Sequence, residues 1–447
     1  MLLYIWNLIY IFVTLNKVIM DRQDNYRSRV VDREIEESLL SVGAILIEGA
    51  KWCGKTTTAE HHSNSVIYMD DPRRKSQYLL FAEDNPDMIL DGLTPRLIDE
   101  WQLAPQLWDA VRYKVDHRIG KGQFILTGSA KPADRSRIFH SGTGRFAWLR
   151  MRPMSLLESG DSTGAVSLAR LFAGPESFVP CEADSGLQKI AMLCCRGGWP
   201  EALDVPERVA IRPAIDYYNA IINVDINLID GVARSSERAA RLMRSYARFQ
   251  GTQTPITKIV EDMNGDGNAE SEVKTVRDYL DVLQSMFVIE DMPAWNPNLK
   301  SKTAIRTTDT RYFVDPSIAT SSLGVGPDGL MNDLKAFGFI FETLCARDLR
   351  VYAQSLGGHV YHFRDKNGLE CDAVISLPDG KYGLVEIKLG GEKLIEEGAA
   401  NLLRLNSKLN LDKMRAPSFN MVLTAIGSYA YRRKDGVFVV PVTALGV

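Results

Sequence analysis

The stretch that most constrains this chain is Gly49-Ala50-Lys51-Trp52-Cys53-Gly54-Lys55-Thr56, two glycines with four residues between them followed by Lys-Thr. Ala44-Ile45-Leu46-Ile47-Glu48 before it is an apolar run of buried-strand type, and Thr56-Thr57-Thr58-Ala59-Glu60 after it can open a helix. A strand, a glycine-bearing loop and a helix start in that order make a cradle of backbone N–H groups for a phosphate chain. The expected nucleotide-binding segment is therefore Gly49, Ala50, Lys51, Trp52, Cys53, Gly54, Lys55, Thr56 and Thr57. In it Lys55 reaches the β- and γ-phosphates and the Thr56 hydroxyl ligates Mg²⁺. The bland alternative is a glycine-rich surface turn with an incidental Lys-Thr, which the order of the flanking elements disfavours.

Composition sets bounds without naming a partner. At 447 residues two to four domains are expected, and 53 basic against 56 acidic residues leave a net charge of −3. No global basic field advertises nucleic acid, so any such contact has to be local. The six cysteines show no metal-ligand spacing and fit free thiols in a reducing cytoplasm. Residues 1–19 are strongly apolar, but Asn7, Thr14, Asn16 and Lys17 interrupt them and no small-residue cleavage site follows. A mis-assigned start, with translation beginning at Met20, is preferred there to a membrane anchor or a signal peptide, and residues 1–19 are set aside as an apolar extension.

From Tyr26 to Leu40 the apolar spacing suggests an amphipathic helix, and Val66 to Met69 a second strand before the Asp70-Asp71-Pro72 turn. Thr94 to Glu100 is a short apolar strand ending in adjacent carboxylates, which suits Asp99 to the metal side and Glu100 to the attacking water of an NTPase. A solvated strand end is the alternative without the upstream loop. Gln123 to Ser129 reads as a strand ending in hydroxyls, either of which, Thr127 or Ser129, suits a γ-phosphate sensor. Ser141-Gly142-Thr143-Gly144-Arg145 is a loop whose arginine suits a finger for a neighbouring subunit's phosphates, or simply a solvated loop.

The set GAKWCGKT, LIDE, ILTGS and GTGR, followed by Arg196-Gly197-Gly198-Trp199-Pro200, resembles prokaryotic AAA-type ATPases joined to a carboxyl-terminal domain of unknown function. The resemblance covers nearly everything after Met20. It implies an α/β fold with a five-stranded parallel sheet and a helical lid, ATP and Mg²⁺ as ligands, and a homo-oligomer. It also implies the phosphate-loop role for Lys55 and Thr56, metal and water roles for Asp99 and Glu100, a sensor at Ser129 or Thr127, a finger at Arg145 and a second sensor position at Arg196. From the residues alone, Arg196 before Gly-Gly reads as a helix end.

Three helical patterns follow, Ala239 to Phe249, Ile256 to Met263 and Val273 to Met286, then Phe287-Val288-Ile289 as a short strand, an order that resembles a winged helix. Seven basic and ten acidic residues between Ser235 and Asp291 oppose phosphate-backbone binding, so a packing or assembly role is expected. Further on, Leu369 to Ile375 and Leu384 to Lys388 are strands joined across a Pro-Asp-Gly turn, and period two puts Glu386 and Lys388 on one face. An acid followed by a Glu-x-Lys strand resembles the core of restriction-endonuclease-like nucleases. That resemblance implies Asp372 and Glu386 as Mg²⁺ ligands, Lys388 orienting water, Glu342 as the helix acid and a nucleic acid as substrate; the alternative is a Glu/Lys pair on a hairpin, or a nuclease fold kept as a scaffold. The expected domains are 20–180 for ATP binding, 181–300 for the lid and winged-helix-like region, and 301–447 for the nuclease-like domain.

Overall fold

A computed structural model describes residues 26–132, 138–228, 232–264, 269–296, 308–409 and 414–447. The apolar extension 1–19 and the proposed start at Met20 lie outside them. Two compact units form. Of the described residues, one is built on Gly54–Gly128 and takes in the chain from Tyr26 to Ile47 and the segment ending at Leu149; the other is built on Arg150–Val447 and takes in Glu48–Cys53.

The first unit carries a five-stranded sheet of β1 (Ala44–Glu48), β2 (Ser65–Tyr68), β3 (Arg96–Asp99), β4 (Phe124–Gly128) and β5 (Phe146–Arg150), in the order β2-β3-β4-β1-β5. β2 runs parallel to β3, with Tyr68 opposite Asp99, and β3 parallel to β4, with Ile98 opposite Leu126. β1 and β4 begin side by side, where Gln123 N–H donates to the Gly43 carbonyl at 2.7 Å. Central strands covered on both faces read as unbroken apolar runs, and every residue of β3 and β4 is buried. β5 is an edge strand and is only partly covered, with Phe146 and Leu149 buried and Trp148 exposed. Leu46, Ile98, Trp108, Leu126 and Phe146 share one core, in which each fully buried aliphatic side chain contributes about 1.5–3 kcal/mol.

In the second unit β6 (Val166–Ser167) pairs with the terminal β14 (Leu445–Gly446). Three helices, Ser236–Arg248, Ile256–Asn264 and Ala269–Ser285, precede two antiparallel bridges, Ile289 to Phe313 and Met292 to Thr310. The short strand expected at 287–289 is thus reduced to bridging residues, because Phe287 turns into the left-handed region at φ 59°. Ser235 starts the first of these helices by accepting the Arg238 N–H at 3.2 Å.

The carboxyl-terminal part holds a seven-stranded mixed sheet of β7 (Cys181–Ser185), β8 (His359–Arg364), β9 (Glu370–Ser376), β10 (Tyr382–Lys388), β11 (Phe419–Thr424), β12 (Gly427–Arg432) and β13 (Phe438–Pro441), in the order β7-β12-β13-β11-β10-β9-β8. β9 and β10 are antiparallel, as their tight connection demands, whereas β10 and β11 are parallel and need the crossover helix Glu392–Lys408. That helix lays Ala399, Leu402 and Leu405 on Val374, Leu384 and Val422.

Candidate functional site

Parallel strands end together, so the carboxyl ends of β1, β3 and β4 gather the loop residues that follow them. In the phosphate loop the two glycines have different reasons. Gly54 adopts φ 99°, open to glycine at no steric cost, whereas Gly49 is pressed against the Met151 carbonyl, where a Cβ would lie 2.0 Å from the oxygen. Trp52 also takes a left-handed backbone at φ 64°, a strained state for a bulky residue that concentrates at functional loops. Neither Lys51 nor Trp52 is idle in the second unit. The Lys51 ammonium lies 2.6 Å from Asp225, and the Trp52 ring leans on Tyr217 with centroids 5.9 Å apart.

Thr56 Oγ1 donates to Asp99 Oδ1 at 2.9 Å, and Thr127 donates to the same oxygen. Burial, with the neighbouring Glu100 charge adding to it, pushes the Asp99 carboxyl up to about 6 against the pull of those hydroxyls. A buried carboxylate beside a threonine hydroxyl at a helix start is a fitting donor set for Mg²⁺, which would relieve the charge that burial penalises. Glu100 stands at the strand end with φ 55°, and Gln102 donates to its carboxylate. Lys55 is buried in the first turn of the helix Lys55–His61. Ser129, also buried, comes directly after β4; of the two sensor candidates it is Thr127 whose hydroxyl reaches Asp99.

Arg145 sits elsewhere. The Ala44 N–H donates to its carbonyl at 3.0 Å, so it lies at the amino end of β1 and β5, about 16 Å along the strands from the phosphate loop. Its guanidinium is exposed and pairs with Asp116 at 2.8 Å. Strand polarity therefore keeps it from its own phosphate loop.

Arg196, the position to which the resemblance gives a second-sensor role, lies in the second unit. It ends the helix Leu187–Arg196 and spends its donors on Asp161, at 2.6 Å, and on the Gly197 carbonyl. The Gly-Gly-Trp that follows belongs to a buried polar joint. Gly198 N–H donates to Asp315 at 3.0 Å, Trp199 Nε1 to Ser317 at 2.8 Å, and Arg347 bridges Asp315 and Asp348.

A second cluster gathers on β9, β10 and the helix Leu334–Ser355. The Lys388 ammonium lies 2.7 Å from Glu386 and 3.2 Å from Asp372, whose Oδ2 also accepts the Ile387 N–H at 2.7 Å. Burial, then the Asp372 charge, pushes Glu386 up to about 8 and Glu342 well above its ordinary value. Burial works against the Lys388 charge, but the Asp372 and Glu386 carboxylates together outweigh it and hold the ammonium form. Two residues not picked out from the sequence complete the cluster. Asn401 donates to Glu386 Oε1 at 2.8 Å and Tyr312 donates to Glu342. Asn401 lies on an amphipathic helix where an amide reads as solvated, and Tyr312 lies in a segment with no periodicity, so neither carried a signal. Carboxylates raised by burial and by a neighbouring negative charge fit a divalent cation. Among the described residues, however, no three His, Cys, Asp or Glu side chains form a metal cage.

Residues 41–159 match a family model described as AAA domain, residues 187–329 a domain of unknown function (DUF8612), and residues 337–445 another domain of unknown function (DUF4143). The chain is 21% identical over 359 residues to an uncharacterized protein of Mycobacterium tuberculosis and, to the same extent, to one of Mycobacterium bovis; the match spans 79% of this chain and 72% of each relative. Among solved structures it is similar to the Walker-type ATPase PABY2304 of Pyrococcus abyssi, with 14% identity and a TM-score of 0.39 over 67% of this chain and 96% of that one. It is also similar to the replication initiator DnaA bound to AMPPCP and single-stranded DNA, with 14% identity and a TM-score of 0.28 over 59% and 91% of the two chains. The amino-terminal region resembles AAA-type P-loop NTPases, and the phosphate loop, Asp99, Glu100, Thr127 and Arg145 all fall within the AAA match. A further α/β region follows it. No helix among the described residues is long and apolar enough to cross a membrane.

Proposed function

We propose that the protein is a cytoplasmic, homo-oligomeric, Mg²⁺-dependent ATPase whose carboxyl-terminal region cleaves a nucleic acid. The observation that carries the ATPase reading is the meeting of Thr56 and Thr127 on one oxygen of the buried Asp99 carboxylate, at the carboxyl ends of parallel strands. Lys55 balances the β- and γ-phosphate charge and the loop N–H groups orient the chain for in-line attack. Glu100 holds the attacking water and takes its proton as the γ-phosphoryl group departs from ADP. Arg145 of a neighbouring copy supplies charge that its own chain cannot. Bound Mg²⁺, held through Thr56 and Asp99, supplies charge neutralisation at the phosphate oxygens.

In the second site Asp372 and Glu386 are the metal-holding pair, Asn401 fixes the Glu386 rotamer, Lys388 orients water, and Glu342 is the acid from the helix. A switch or scaffold reading rests on a specific feature, the Lys388 ammonium lodged between both carboxylates, which neutralises the cluster without metal. Incubating the purified chain with labelled ATP, and separately with labelled DNA and RNA, with and without Mg²⁺, separates these readings. Hydrolysis of ATP that Lys55→Ala loses, and cleavage that Glu386→Ala loses while keeping ATPase activity, are expected. ATP turnover with no cleavage of any substrate leaves the scaffold reading, and turnover undiminished in Lys55→Ala removes the ATPase assignment.

A further inference from the structure

A continuous polar chain in the second unit begins beside the phosphate loop. The Met151 N–H donates to the Glu48 carbonyl at 2.8 Å, and the Met151 carbonyl covers Gly49, so the backbone at 151 is keyed to the start of the loop. The next residue, Arg152, grips Glu290 with two prongs, Nε to Oε2 at 2.9 Å and Nη2 to Oε1 at 2.6 Å, and steadies itself on Gln354. Glu290 is shared with Arg350 at 3.9 Å, and the Arg350 guanidinium lies over the Tyr312 ring, 5.5 Å from its centre. The Glu290 N–H donates to the Tyr312 carbonyl at 2.9 Å, and the Tyr312 hydroxyl donates to Glu342.

The short, directional contacts of this polar chain, the Arg152 fork on Glu290 and the Tyr312 hydroxyl on Glu342, are the ones that transmit displacement. Although burial works against its charge, Arg152 and Arg350 hold the Glu290 carboxyl well below the usual carboxylate range. Moving Arg152 alone would break a bidentate ion pair and leave Glu290 only the longer contact to Arg350, so a shift at 151–152 carries Glu290 and the segment bridged to it at Thr310 and Phe313. On its other side the Glu342 carboxylate lies against Gly251, where an added Cβ would come within 2.8 Å of it.

Building on the two-site reading above, we propose that this relay couples the phosphate loop to the second site, with Tyr312 as the residue that positions Glu342 according to nucleotide occupancy. Such coupling is reciprocal, so the second site also biases nucleotide affinity.

The test is amide hydrogen exchange across the helix Leu334–Ser355 in the full chain, with Mg²⁺ alone and with Mg²⁺ plus a non-hydrolysable ATP analogue whose binding is measured by calorimetry. Exchange near Glu342 is expected to change about five-fold or more on nucleotide binding. Tyr312→Phe, which removes one oxygen, and Arg152→Lys, which keeps the charge but loses the fork, should both bind the analogue yet lose that response, whereas Tyr429→Phe on the exposed face of β12 should keep it. Bound analogue with no change in wild-type exchange, or a full response in both Tyr312→Phe and Arg152→Lys, overturns the relay and leaves the two sites standing. Absence of analogue binding overturns the nucleotide reading itself, and the relay with it.

Discussion

Thr56 donates its hydroxyl to Asp99 Oδ1 across 2.9 Å, although 43 residues separate the two in the chain. The first residue lies in the first turn of the helix after the phosphate loop and the second closes β3, so only the parallel sheet brings them together. This pairing sets roles for the acids. Asp99→Asn should lose Mg²⁺-dependent ATP hydrolysis, whereas Glu100→Gln should still bind ATP and turn it over on the order of 100-fold more slowly. Single-turnover assays beside equilibrium ATP binding distinguish the two, and wild-type turnover in Glu100→Gln removes the water-activating assignment.

Arg145 and the phosphate loop lie at opposite ends of the same strands, which makes a prediction about mixtures. Arg145→Ala should lower turnover by about 10³-fold, the usual worth of an arginine finger. Mixed with Glu100→Gln protein it should recover part of the activity, because recombined neighbours rebuild one intact site. No recovery in mixtures shown by sedimentation to co-assemble excludes a finger role.

The pH dependence of stability carries the signature of Glu386. Its folded value of about 8 stands above the ordinary 4.5, so the stabilising neutral form is fully present below pH 4.5 and is lost as pH rises toward 8. Glu386→Gln should therefore raise the unfolding midpoint at pH 8, by about 2–4 °C for each kcal/mol relieved, and leave it nearly unchanged near pH 4. Calorimetric scans of both proteins across that range check this, and equal midpoints at pH 8 would show that Lys388 fully compensates the buried carboxylate.

Gly198 is a packing requirement. An added Cβ would lie 2.1 Å from the Met154 carbonyl oxygen, a backbone atom with no freedom to retreat. Gly198→Ala should cost about 1–3 kcal/mol or more in urea unfolding while leaving ATP affinity of the folded protein intact. Unaltered stability would mean that the joint through Asp315 and Arg347 yields more readily than its burial suggests.

By itself the sequence determined what local chemistry decides. Ala44 to Glu48 and Phe124 to Gly128 are apolar runs because their strands are covered on both faces, and the glycine-bearing loop between strand and helix follows from dihedral freedom and close approach. The period-two spacing of Glu386 and Lys388 likewise put both on one face of β10. Only the tertiary structure decided which distant groups share a charge. That Asp99 is gripped by Thr56 and Thr127, that Arg145 points away from its own phosphate loop, that Arg196 serves Asp161, and that Asn401 and Tyr312 hold the second cluster all depend on strand order and helix packing. Periodicity reports which face a residue occupies, but not what lies opposite it, and electrostatic pairing is set by what lies opposite.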